Sequence, residues 1–149
     1  MSALQNILVV EDNDGDYDTV VEAVQRAGLP HQLQRATCGD ECIDMLHQSI
    51  RLRSALPVLV LLDLNTPGSD GRDALGRIKT CRKLCTIPTV ILSTSSNPRD
   101  VDFCYASHAN AYHTKPVSHR AHLKTLQDIF DYWLGCALLP AETPLVKNE

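Results

Sequence analysis

Four short runs in the sequence, three of them largely apolar, each end in a residue able to do chemistry. Glu11-Asp12 follows Ile7 to Val10, Asp63 follows Val58 to Leu62, Ser93-Thr94 follows Thr89 to Leu92, and Lys115 follows Ala111 to Thr114. If these runs are strands of one parallel sheet, their polar ends converge at its carboxyl edge. Three clustered carboxylates repel one another and need a cation to stay ionised together, and hard oxygen ligands select Mg²⁺. A lysine and a hydroxyl beside them suit a phosphoryl group. In phosphoryl transfer the protein mainly positions the group and neutralises charge on its equatorial oxygens. Asp63, alone at the end of the most apolar run, is the best carboxylate nucleophile and would form an aspartyl-phosphate. Glu11 and Asp12 would hold metal, and Lys115 and Ser93 would bind phosphoryl oxygens. Taken singly, an acidic pair after a strand is an ordinary solvated loop, and a lysine before proline is common. Independent loops, however, have no reason to supply complementary groups at one edge.

The elements that must position these groups are legible. Ile7 to Val10, Val58 to Leu62 and Thr89 to Leu92 read as strands buried on both faces, Leu33 marks a weaker strand, and Ala111 to Thr114 is the last. Tyr17, Val20, Val21 and Val24 form a helical stripe closed by Gly28, with Pro30 just beyond. Asp40 is expected to cap a helix carrying Ile43, Leu46 and Ile50, and Asp70 one carrying Leu75 and Ile78. Asn97-Pro98 heads a fourth helix, and Ser118 opens a long one with Leu123, Leu126, Ile129, Phe130, Trp133 and Leu134. Five βα units without internal repeats predict a single α/β domain with a doubly wound, five-stranded parallel sheet. The domain is expected over residues 1–137, with a tail over 138–149.

Composition narrows the function. The 149 residues hold 44% hydrophobic side chains and a formal charge of −4 without a dense Lys/Arg cluster, which disfavours direct nucleic-acid binding. No signal-like start or long apolar span is present, so the expectation is a cytoplasmic protein with no membrane contact. Its six cysteines are expected to be free thiols, although Cys38/Cys42 and Cys81/Cys85 share a four-residue spacing.

The sequence resembles response-regulator receiver domains over about residues 5 to 134. Val9-Val10-Glu11-Asp12, Leu61 to Gly68 (LLDLNTPG), Ile87-Pro88, Ser93 and Lys115-Pro116 carry the match. The resemblance implies the flavodoxin-like, CheY-like strand order 2-1-3-4-5. It also implies Mg²⁺ ligation by Glu11, Asp12, Asp63 and the carbonyl of Asn65, Ser93 as the switch hydroxyl, Tyr112 as the switch aromatic, and a cis Lys115-Pro116 peptide. The polar segment before the third strand, Leu92 to Ser96 and Tyr132-Trp133-Leu134 look most like the small response regulators paired with cyanobacterial phytochromes. Many receivers carry alanine where this chain has Thr94, which narrows access to the phosphoryl group. Ser93 and Thr94 point to opposite faces of a strand, so register decides which faces inward; the spacing from Ser93 to Lys115 fits the family and favours Ser93.

The expected function is that of a stand-alone phosphoacceptor in a phosphorelay, taking its phosphoryl group on Asp63 from a sensor histidine kinase, a phytochrome. It assists its own phosphorylation and dephosphorylation without being an enzyme. The alternatives are a Mg-dependent aspartyl-phosphate hydrolase and a partner-binding pseudo-receiver. The hydrolase class places a second Asp two residues after the nucleophile, where this chain has Asn65. A phosphohistidine carrier on one of His31, His47, His108, His113, His119 or His122 lacks the helical-bundle pattern. The adjacent apolar pairs of the last helix widen its stripe beyond one sheet face, which predicts a two-fold homodimer built around Phe130, Tyr132 and Trp133, with the tail folding across it.

Overall fold

Runs that are apolar at every position suit strands covered on both faces. The computed structural model describes residues 4–140 and contains β1 (Asn6–Val10), β2 (Gln32–Ala36), β3 (Leu59–Leu62), β4 (Thr89–Ser93) and β5 (Ala111–Thr114). Every neighbouring pair is parallel and the order is 2-1-3-4-5. Most of the expected tail, residues 141–149, lies outside the described residues.

The period-two alternation of each strand divides the core into two layers. Leu8, Val10, Val60, Leu62 and Ile91 face α2 (Gly39–Arg51), α3 (Gly71–Thr80) and α4 (Pro98–Ala106). Ile7, Val9, Leu59, Leu61, Val90 and Leu92 face α1 (Asp14–Arg26) and α5 (His119–Phe130). Register pairs Val9 with Leu61 and Leu62 with Ile91, so like-facing residues from adjacent strands meet on one side.

Helix starts follow side-chain capping. Asp70, Asn97 and Ser118 each accept a backbone N–H of the first turn of α3, α4 and α5, as expected. Asn13 does the same for α1, and Gly28, with φ of 65°, closes that helix. Asp40 does not cap α2, which begins one residue earlier with Cys38 at the N-cap. The first turn is satisfied otherwise. Glu41 reaches back to accept the Thr37 N–H at 2.6 Å and hydroxyl at 2.9 Å, and the Asp40 N–H donates to Ser69 Oγ.

Two further expectations are corrected. The Lys115-Pro116 peptide is trans, since no cis bond occurs among the described residues; trans is also the form X–Pro bonds prefer in the absence of a constraint. The last helix does not run evenly to Leu134. Regular winding ends at Phe130 and a π-helical turn, Asp131–Cys136, follows. Phe130 is 1% exposed in the α1/α5 layer, so it belongs to the core and not to an interface. Trp133 and Leu134 pack half-buried against the same layer, and Tyr132 remains exposed, edge-on to Trp133 with ring centroids 5.0 Å apart. The cysteines are free, as expected.

Candidate functional site

The strand ladder runs one residue beyond the strands and fixes the functional groups. The Glu11 N–H donates to Ala36 O, the Asp63 N–H to Val10 O, and the Lys115 N–H to Ser93 O. Each chemical side chain is therefore anchored by a backbone bond that belongs to the sheet. A second close approach locks the far side: a Cβ on Gly71, the first residue of α3, would lie 2.7 Å from Asp63 O and from Leu64 Cα. Only glycine allows α3 to start so near the strand that carries Asp63.

Glu11, Asp12 and Asp63 bring carboxylate oxygens within 4.8 Å of one another, the one such group of His, Cys, Asp or Glu among the described residues. Glu11 and Asp63 are buried and Asp12 is exposed. Lys115, also buried, donates to Glu11 Oε1 at 2.6 Å, to Asp63 Oδ2 at 3.1 Å and to Asp16 Oδ2 at 3.1 Å. Burial works against the lysine's charge, but the bond to Glu11, the charges of Asp63 and Glu11 and the bond to Asp16 outweigh it and hold the ammonium above its ordinary pKa. Burial raises the Glu11 carboxyl, and Lys115 and the Asn13 N–H offset only part of that rise. One lysine faces four carboxylates, an excess of negative charge that suits a hard divalent cation.

The remaining groups gather at the same edge. Asn65 donates its N–H to Asp63 Oδ1 at 3.0 Å and its side-chain amide to Ser93 Oγ at 3.4 Å. Register turns Ser93 inward, fully buried, and leaves Thr94 exposed. Tyr112, opposite Ile91 on β5, is half-buried and donates its hydroxyl to Ser95 O at 2.7 Å. An open groove beside Asp12 and Asn65, walled by Thr66, Asp70 and Arg72, gives access from solvent.

Sequence reasoning missed Asp16. Its closeness in sequence to Glu11-Asp12 was the available signal, but an acid in the first turn of a helix reads equally as a dipole partner. It also missed His122 of α5, buried beneath the site with Nδ1 3.9 Å from Asp16 Oδ1 and Nε2 without a hydrogen-bond partner among the described residues.

This geometry has close relatives. The structure of the phosphorylated cyanobacterial phytochrome response regulator RcpA superposes with a TM-score of 0.87 at 36% identity, covering 93% of this chain and all of that one. The Mn²⁺-bound form of response regulator Rcp1, a Synechocystis protein, superposes with a TM-score of 0.86 at 38% identity over 92% of this chain and 99% of that one. The probable methanogenesis regulatory protein FilR2 of Methanothrix harundinacea is 36% identical over 87% of this chain and 83% of its own length. Residues 7–127 match the response regulator receiver domain family. With the parallel sheet, the strand-end carboxylates and the buried lysine in place, this chain belongs to the response regulator receiver domains of two-component signalling.

Proposed function

We propose that Asp63 accepts a phosphoryl group from a phosphohistidine of a sensor histidine kinase, with Mg²⁺ held by Glu11, Asp12, Asp63 and the carbonyl of Asn65. A carboxylate oxygen of Asp63 bonds to phosphorus as the P–N bond to the donor imidazole breaks, and the imidazole keeps the electron pair and takes a proton. Lys115 and the Ser93 hydroxyl then bind phosphoryl oxygens, and Tyr112 follows Ser93. Water later cleaves the acyl phosphate and restores the carboxylate, so the chain assists both gain and loss of its phosphoryl group. The observation that carries this reading is Lys115, which bridges Asp63 and Glu11 inside the carboxylate cluster.

The likeness to phytochrome response regulators supports a phytochrome of the cyanobacterial kind as the kinase. Exposed Tyr132, with Phe103 and Tyr105 on α4, supports a homodimer through α5 and α4. The reading also places the protein in the cytoplasm, as a receiver over residues 1–137 with a tail from 138. The test is incubation with acetyl phosphate and Mg²⁺, read by intact mass. Wild type gains one phosphoryl group, chelation of the metal abolishes the gain, and Asp63→Asn shows none. A full adduct on Asp63→Asn would move the site elsewhere.

A further inference from the structure

Phosphoryl binding by Ser93 leaves open what orients its hydroxyl beforehand. Ser93 Oγ accepts the Ser95 N–H at 3.1 Å and the Asn65 side-chain amide at 3.4 Å. A hydroxyl has two acceptor lone pairs and one donor hydrogen, so with both lone pairs engaged the O–H is left to donate. Donation is what a phosphoryl oxygen requires.

Ser95 is held from several sides. Its carbonyl accepts the Tyr112 hydroxyl at 2.7 Å, its Oγ donates to Asp100 Oδ2 at 2.6 Å, and the same Oγ accepts the Asn97 N–H at 3.2 Å. The other Asp100 oxygen accepts from Arg72 Nη2 at 2.5 Å, and Arg72 Nη1 donates at 3.1 Å to Asp70, the N-cap of α3. A continuous chain of hydrogen bonds therefore runs from the head of α3 through Arg72, Asp100 and Ser95 to the switch hydroxyl. The Asp100 carboxyl lies below its ordinary range, first through the Ser95 hydroxyl and then through Arg72, so it stays ionised and the pair stays charged. The Arg72 and Asp100 side chains are 28% and 20% exposed, which makes the pair solvent-screened and separable.

We propose that Arg72 and Asp100 are positioning residues for the switch, fastening the loop over residues 94–97 to α3 in the unphosphorylated state, so that Ser93 cannot follow a phosphoryl group until Ser95 pulls free of them. The inference rests on Asp63 being the phosphoacceptor. A contact made in one state alone biases a two-state equilibrium by its own strength, so this latch restrains phosphorylation.

The test compares initial rates of Asp63 adduct formation from acetyl phosphate at saturating Mg²⁺ in wild type, Arg72→Ala, Arg72→Lys and Ser95→Ala. The expected result is a rise of about two- to fivefold for Arg72→Ala, the scale of a part-exposed ion pair, with Mg²⁺ affinity unchanged. Arg72→Lys keeps the cation and stays near wild type, a rescue that a general packing defect would not show. Ser95→Ala breaks the same chain at another link and accelerates similarly, and the double variant with Arg72→Ala gains nothing more. Folded variants no faster than wild type, or gains that multiply in the double variant, would overturn the latch while leaving the phosphoacceptor reading intact. A wild type that forms no Mg²⁺-dependent adduct on Asp63 would overturn both.

Discussion

Lys115 stands closer to Glu11 than to Asp63, at 2.6 Å against 3.1 Å. The lysine is thus shared, with its tightest bond on Glu11 and a looser one on the candidate nucleophile. A phosphoryl group on Asp63 brings new oxygens within reach of the same ammonium, and Lys115 can turn to them without leaving the site.

Replacing Lys115 by Met should separate two effects. The Lys115, Glu11 and Asp63 side chains are 6%, 7% and 10% exposed, so removing the cation leaves two buried carboxylates with backbone N–H partners but no opposite charge. Breaking a buried ion pair in this way costs about 3–5 kcal/mol. Metal-free Lys115→Met is expected to lose stability on that scale at neutral pH and to regain much of it in Mg²⁺, which replaces the missing charge. Phosphorylated Lys115→Met should also fail to move Ser93 and Tyr112, read as an unchanged Tyr112 ring environment by NMR. Equal denaturation midpoints for wild type and variant without metal would refute the first part, and a wild-type shift of Tyr112 in the variant would refute the second.

Asp12→Asn isolates the metal. Asp12 is exposed and Lys115 does not bond to it, so its loss should barely alter folding stability while weakening Mg²⁺ binding at least tenfold. Glu11 adds a pH dependence. Its carboxyl is raised by burial, so without metal the folded state holds a proton above the ordinary value of 4.5. That contribution to stability is full below 4.5 and is lost as pH rises through the raised value. Mg²⁺ must displace the proton, and its affinity should therefore fall as pH is lowered from neutrality through that raised value. Calorimetric titration across that range checks both claims; a pH-independent affinity would remove Glu11 from the ligand set.

Much of the fold and half of the site were open to inspection in the sequence, for a physical reason. Strands buried on both faces must be apolar at every position, as in Leu59 to Leu62, and the residue that ends such a strand falls at the edge of the sheet whatever the loops do. Glu11, Asp63 and the hydroxyl pair Ser93-Thr94 were legible on that ground, whereas Lys115 follows a strand of mixed polarity, Ala111 to Thr114, and the choice of Ser93 over Thr94 came from the family spacing. Side-chain partners from distant elements were not. Asp16 meets Lys115 across 99 residues and Arg72 meets Asp100 across 28, and neither pairing leaves a local pattern. The π-helical turn was hidden because the apolar spacing continues to Trp133 and Leu134 although the winding changes after Phe130. Asp40 misled because the helix already starts at Gly39, so Asp40 lies inside the first turn, with its N–H satisfied by Ser69 Oγ, a contact made only once the chain is folded.

Acid should destabilise the protein through buried histidines. Burial lowers the His122 pKa below 6.5, and the Asp16 carboxylate opposes this only in part. A histidine depressed in the folded state contributes stability above 6.5 that is lost as pH falls through the lower value. Burial lowers His31 and His113 in the same direction. Each such group contributes a slope of at most about 1.4 kcal/mol per pH unit. His122→Leu should flatten the decline of Tm below pH 6.5 by one group's share. An unaltered Tm-against-pH curve would show that His122 stays uncharged, or becomes charged, equally in both states.

Phe130 is in the core and Trp133 packs half-buried against it, so the homodimer interface must centre on Tyr132, which is 55% exposed, with Phe103 and Tyr105 of α4 at 46% and 49%. Exposed aromatic side chains act as anchors when a partner covers them. Tyr105 also ties this face to the switch, since its hydroxyl accepts the Tyr112 N–H at 3.1 Å. A two-fold interface here would therefore respond when Tyr112 moves. Tyr132→Glu should give a folded monomer with the wild-type Tm of an isolated subunit, because the ring leaves no buried hole. Trp133→Glu should cost stability as well, by placing a carboxylate against the α1/α5 layer. Sedimentation of wild type at tens of micromolar, with and without acetyl phosphate and Mg²⁺, decides the matter: a monomer in both conditions sinks the dimer, and a dimer that survives Tyr132→Glu moves the interface away from this face.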